Sequence, residues 1–231
     1  MKKIVKKALT KRYFVYCNNV TQASKLYFHM ELQKVYRLLG IQLLFIIFVT
    51  YVSVSVSPIK YFMQENDWLL YTAQFVSMCL SFTLYIKRND SPSNLVLLAA
   101  FTIIDAYIIS ATFTYYPKVL ILTAFVITLV GLGSLTYYTL QMDDFLTTEQ
   151  DLFAGLCIFI SGALLQIAFQ STVIEILVSI WGIFLFCYFI IFDTQMIVTT
   201  FFPEEYILGT LNLYMDVTIL HMQILRTLAH N

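Results

Sequence analysis

The chain is 231 residues long, 59% hydrophobic and 12% charged, and its 14 Lys and Arg balance its 14 Asp and Glu. A soluble domain carries about 25% charged residues, so this composition, with a mean hydropathy of +0.76, excludes an ordinary water-soluble globule. A single bundle in lipid is the class that remains.

Residues 1–37 read as a basic cytosolic head. Nine of the 14 cations precede the first apolar run: Lys2, Lys3, Lys6, Lys7, Lys11, Arg12, Lys25, Lys34 and Arg37. Joined directly to a membrane domain, such a segment is drawn to anionic lipid headgroups, and nucleic acid is not an expected partner. No cleavable signal peptide is expected. Ile4, Val5, Ala8 and Leu9 can share one helical face and no acid precedes Glu31. That pattern also fits a mitochondrial presequence, but early arginines are scarce, so the mitochondrial inner membrane is the secondary expectation.

Residues 38–231 read as the membrane domain. A spanning helix needs roughly 20 mostly apolar residues, and such runs occur at 38–57, 69–86, 95–115, 118–140, 152–169 and 173–200. Breakers divide them: Pro58 with Lys60, Lys87-Arg88-Asn89-Asp90 before Pro92, Pro117, the acidic loop 143–151, and Gln170-Ser171. A Pro203-Glu204-Glu205 turn leads into a seventh segment, 206–228, which carries Asn212, Asp216, Thr218, His221 and Gln223. It is too polar to face lipid all round, so it must be ringed by the others or re-enter the membrane. Barrel strands are about 10 residues long with alternating polarity, unlike these continuous runs. The expected fold is an all-α integral membrane bundle of seven transmembrane helices with a polar seventh.

The basic residues near the spans favour a cytosolic N-terminus. The sequons Asn19-Val20-Thr21 and Asn89-Asp90-Ser91 then face the cytosol and stay bare. Cys79, Cys157 and Cys187 fall inside apolar runs, and neither they nor His29, His221 and His230 have the spacing of zinc ligands. No bound cofactor is expected.

Four acids interrupt the apolar runs: Asp105, Glu175, Asp193 and Asp216. A charge at the bilayer centre costs at least ~2.5–3.5 kcal/mol on insertion scales, so such residues are functional candidates by default. The competing role is a carboxyl that only ties helices together. If the sixth and seventh segments are antiparallel about Pro203, Asp193 and Asp216 lie roughly 15 and 20 Å from the turn. Asp105 lies roughly 16 Å in from the start of the third. Three carboxyls thus reach one level. Clustered in low dielectric they cannot all ionise. A shared proton closes the pair. Its loss leaves repulsion or a transient seat for a hard cation such as Ca²⁺, which prefers oxygen ligands. Asp193 and Asp216 are therefore the expected gate and proton sensor, with Asp105 auxiliary. Glu175, 18 residues before Asp193 on the same helix face, marks the far end of a path or an interfacial residue. Glu204 and Glu205 mark the near mouth, or serve as negative charge at a helix N-terminus.

Three passages carry a resemblance: Phe189-Ile190-Ile191-Phe192-Asp193-Thr194-Gln195, Pro203-Glu204-Glu205-Tyr206-Ile207-Leu208 and Leu211-Asn212-Leu213-Tyr214-Met215-Asp216-Val217. They are similar to the Bax inhibitor-1 (transmembrane Bax inhibitor motif) family, in particular its lifeguard-4 branch of Golgi anti-apoptotic proteins. Lys34-Val35-Tyr36, Asn94-Leu95 and Tyr138-Thr139-Leu140-Gln141 fit as well. The resemblance covers about residues 30–228. It implies a seven-helix bundle with the seventh central, in endoplasmic reticulum or Golgi membranes. It also implies a pH-sensitive calcium leak that lowers store content and protects against apoptosis, with Ca²⁺ as permeant ion and no enzymatic activity. The family's paired aspartates match Asp193 and Asp216, and its third-helix acid matches Asp105. Acids thought to affect conduction match Glu204 and Asp216, and Glu175 aligns with another. Bacterial members latch the pair with a second-helix arginine, where this chain offers Gln74, Ser77 and Ser81.

Three other readings compete. An intramembrane aspartyl protease also pairs two aspartates, but its Gly-x-Gly-Asp motif is here Gly131-Leu132-Gly133-Ser134. A seven-helix receptor would want its N-terminus outside the cytosol. The strongest alternative is a non-conducting scaffold that inhibits cell death by binding Bcl-2-family proteins or calcium-release channels.

Overall fold

The computed structural model describes residues 23–141, 148–199 and 206–230, with side chains from Leu32 onward. Within them the chain forms eight helices: α1 (Ala23–Ser55), α2 (Ser57–Glu65), α3 (Asp67–Ile86), α4 (Ser93–Phe113), α5 (Lys118–Thr139), α6 (Glu149–Phe169), α7 (Thr172–Thr199) and α8 (Tyr206–Ala229). No strand occurs among the described residues.

The boundaries follow local chemistry. Pro58 sits in the first turn of α2, where its missing N–H costs no helical bond. Pro92 and Pro117 are the N-caps of α4 and α5. Thr148 and Asp151 form a reciprocal capping box that starts α6. Gln170 ends that helix in the left-handed region, at φ 47° and ψ 37°. The nine-residue α2 was not foreseen; that stretch read as a linker between spans. Residue 37 lies inside the continuous α1 rather than at a break.

Among the described residues, six helices are long and apolar enough to cross a membrane: α3, α4, α5, α6, α7 and the Leu32–Ser55 part of α1. Their outer faces expose large apolar side chains, among them Phe75 and Phe82 on α3, Leu122 and Val130 on α5, and Phe153, Leu164 and Ile167 on α6. Water does not tolerate so continuous an apolar belt; lipid does. The molecule is an all-helical, multi-pass membrane bundle.

The polar helix α8 lies inside it. It packs against α1, α3, α4, α5 and α7, and most of its length is buried, from Ile207 through Leu225. That enclosure is what lets Asp216, His221 and Gln223 sit on a helix at membrane depth.

Side-chain hydrogen bonds record the helix directions. Gln42 Nε2 donates to Thr102 Oγ1 at 2.7 Å, and the hydroxyls of Thr50 and Ser110 lie 3.2 Å apart. Both pairs are separated by 60 residues, so α1 and α4 run the same way. The Tyr36 hydroxyl meets Thr136 Oγ1 at 2.7 Å and Thr194 Oγ1 at 3.2 Å. The start of α1 is thereby clasped to the ends of α5 and α7. On the periphery α6 packs against α7 through glycines. A Cβ at Gly155 would lie 2.7 Å from Leu185 Cδ1, and one at Gly162 would lie 2.8 Å from Val178 Cγ2.

Candidate functional site: the α7–α8 acid pair

Asp193 lies near the end of α7 and Asp216 near the middle of α8. The two helices are antiparallel, and the two carboxyls are interacting neighbours across the seam. Two carboxylates have no hydrogen to share, so a hydrogen bond between them would need a proton on one. Asp216 is 7% exposed. Its Oδ2 receives no hydrogen bond from a donor group among the described residues.

Asp105 is placed differently. It does not join the pair but accepts a hydrogen bond from the Tyr214 hydroxyl, Oη to Oδ2 at 2.7 Å. Tyr214 is fully buried, with its ring edge-on to Phe101 at 5.7 Å. Positions 214 and 216 differ by about 3 Å in height and about 200° in direction around a helix. The level expected from residue counts is shared, yet Asp105 reaches α8 from the opposite side. Counting along a helix fixes depth and says little about azimuth.

Glu175 occupies the first turn of α7. Its Oε2 lies 3.3 Å from His230 Nε2, both groups being partly exposed. Together with Gln166, Ile167 and Gln170 it lines an open pocket of about 340 Å³. Glu204 and Glu205 lie outside the described residues. On α3, Ser77 is buried and Gln74 exposed, while the Ser81 hydroxyl donates to the Met78 carbonyl at 2.9 Å. Arg88 lies beyond the end of that helix.

Reasoning from sequence did not single out Tyr214, Tyr36 or the role of His221. The imidazole of His221 is buried, stacked on Phe125 at 4.1 Å and edge-on to Phe113 at 5.0 Å. Its Nδ1 is 3.1 Å from Thr128 Oγ1, whose hydrogen goes to the Ala124 carbonyl. This is a packed tie between α5 and α8. The one available signal was position: all three fall on the buried face of their helix. Among the described residues no three His, Cys, Asp or Glu side chains gather to hold a metal ion.

A family model described as "Inhibitor of apoptosis-promoting Bax1" matches residues 29–231, a span that contains every helix from α2 to α8 and all of these acids. The chain belongs to this Bax inhibitor family. It is 34% identical over 216 residues to the Golgi anti-apoptotic protein of Vaccinia virus (strain Lister), covering 93% of this chain and 91% of the viral one. It is 35% identical over 198 residues to Protein lifeguard 4 of Mus musculus, covering 85% and 83%. With Bax inhibitor 1 of Schizosaccharomyces pombe the identity is 31% over 204 residues, covering 86% and 75%. Likeness to these Bax inhibitor relatives therefore spans the membrane bundle and is not confined to one motif.

Proposed function

We propose that this Bax inhibitor family member is a pH-sensitive Ca²⁺ leak of an intracellular store membrane, held shut by the Asp193–Asp216 pair, and that it opposes apoptosis by lowering store content. The observation that carries this reading is the close approach of the two carboxyls across the α7–α8 seam. With one proton shared, the pair is a tie. Without it, two like charges face each other in a low-dielectric interior, where their repulsion is far stronger than in water. Two outcomes relieve that repulsion: the helices part, or a hard cation settles between the oxygens. Both favour cation passage, and both are promoted by raising the pH.

The names of the viral and murine relatives, a Golgi anti-apoptotic protein and a lifeguard protein, support a Golgi or endoplasmic reticulum membrane and an anti-apoptotic role here. In this reading α8 is the seventh span and the N-terminus is cytosolic. Asp105, tied to Tyr214, steadies α8, and Glu175 with Glu204 and Glu205 marks the two mouths.

The test uses purified protein in liposomes loaded with a calcium indicator. Ca²⁺ flux should rise from mildly acidic to neutral pH. Asp216→Asn should alter the flux and Asp193→Asn should shift or flatten its pH dependence, because an amide keeps a hydrogen bond without a titrating charge. A leak identical in both variants at every pH removes the gate. What stands then is the scaffold that acts by binding Bcl-2-family proteins or calcium-release channels.

A further inference from the structure

Between the acid pair and Glu175, the α7–α8 seam holds two more polar side chains that the gate does not use. Gln223 is 4% exposed and Ser179 is 1% exposed. Neither Gln223 Oε1 nor Ser179 Oγ has a hydrogen-bond partner among the described residues. A buried amide or hydroxyl without a partner is destabilising, more so where the surroundings are hydrocarbon. Packing alone does not account for these two.

Their placement is regular. Asp216 and Gln223 are seven residues, two turns, apart and so share one face of α8 at about 10.5 Å spacing, and His230 follows seven residues on, just past the helix end at Ala229. On α7 the residues Asp193, Gly182, Ser179 and Glu175 share the facing stripe. Gly182 makes the room. A Cβ there would lie 2.8 Å from Gln223 Cγ, 2.9 Å from Phe159 Cε2 and 3.1 Å from Gln223 Cδ, so the Gln223 side chain and the Phe159 ring together fill the space a side chain at 182 would take. Ser179 lies one turn further toward Glu175 and His230, which sit 3.3 Å apart beside the open pocket of Gln166 and Gln170. From Asp193 to Glu175 the stripe runs about 27 Å, close to the ~30 Å hydrocarbon thickness of a bilayer.

Building on the leak described above, we propose that the α7–α8 seam is the cation route and that Gln223 Oε1 and Ser179 Oγ form an intermediate oxygen station on it. The station serves a partly dehydrated divalent cation between the acid pair and the Glu175–His230 mouth. Hard cations are held by carboxylate, amide and hydroxyl oxygens, and polar side chains at membrane depth mark ion pathways. Between the station and the acid pair the same stripes carry only apolar bulk: Leu220 on α8, and Phe186 and Ile190 on α7, all buried. That stretch is the plug, which keeps the closed route dry as apolar constrictions do. Separation of α7 from α8 at Asp193 and Asp216 loosens it directly, because the plug begins one turn away.

The experiment is Ca²⁺ entry into liposomes holding the full chain, with wild type measured alongside each variant. Gln223→Leu and Gly182→Ala should each lower the flux about tenfold, the factor given by about 1.4 kcal/mol of lost stabilisation at one station. The first removes the amide; the second pushes it out of place. Gln223→Glu, which keeps the size and adds a charge, should raise Ca²⁺ flux, and it decides alone if Gln223→Leu does not fold. A conducting wild type with Gln223→Leu and Gln223→Glu both at its rate overturns the route and leaves the gate intact. A wild type that passes no Ca²⁺ overturns the leak itself, and the route with it.

Discussion

Acids of one type have different surroundings in this molecule. Asp193 and Asp216 face each other, whereas Asp105 faces the hydroxyl of Tyr214 at 2.7 Å. Removing that donor with Tyr214→Phe leaves an oxygen of the half-buried Asp105 carboxyl unpaired, which costs at most about 1–3 kcal/mol. The cost should show as a lower melting temperature in detergent. The pH profile of Ca²⁺ flux should stay where it is, since Tyr214 points away from the pair. A shifted profile would mean that Asp105 is coupled to the gate after all. The pairing of Asp193 with Asp216 could be approached from sequence because one short turn separates their helices, so counting residues brings them to neighbouring levels. The Tyr214 contact could not. It depends on which way α4 is rotated, and the third apolar run has no polar stripe strong enough to reveal its inner face.

At the scale of the helix, glycines separate two kinds of surface. Gly162 on α6 lies against α7, where an added Cβ would come within 2.8 Å of Val178 Cγ2, while Gly131 and Gly133 on α5 have nothing within 4 Å. Alanine at an unobstructed helical glycine stabilises by roughly 0.5–1 kcal/mol. Gly133→Ala should therefore raise the melting temperature in detergent, and Gly162→Ala should lower it by forcing α6 away from α7. The same sign for both would show that the α6–α7 seam is looser than described. Helix ends were well marked in the sequence at Pro117 and Gln170-Ser171, which act through their own backbone, whereas the Thr148–Asp151 box emerged only from the structure. The α2 helix was not. Nine residues holding a proline and a lysine make a weak signal, and it is the flanking spans α1 and α3 that hold it in place.

Across the whole molecule, the arrangement reverses the soluble pattern: apolar side chains face outward and the polar helix α8 is enclosed. Hydropathy alone made the bundle legible, and the polarity of residues 206–228 required that they be surrounded. Which helices surround α8 was not legible, because α1, α4 and α7 are all continuously apolar. If α8 crosses the membrane as the seventh span, the two ends of the chain lie on opposite sides. An impermeant thiol reagent applied to sealed vesicles should then modify either Cys17 or a cysteine appended after Asn231, but not both. Labelling of both from one side would contradict seven spans.

The proton between Asp193 and Asp216 is the centre of the account, and infrared difference spectroscopy reads it directly in reconstituted protein. A protonated-carboxyl C=O band should be present at mildly acidic pH. It should vanish on titration in step with the rise in Ca²⁺ flux, be lost in Asp193→Asn or Asp216→Asn, and persist in Asp105→Asn. A flux that titrates with no such band, or a band that only Asp105→Asn removes, would contradict it.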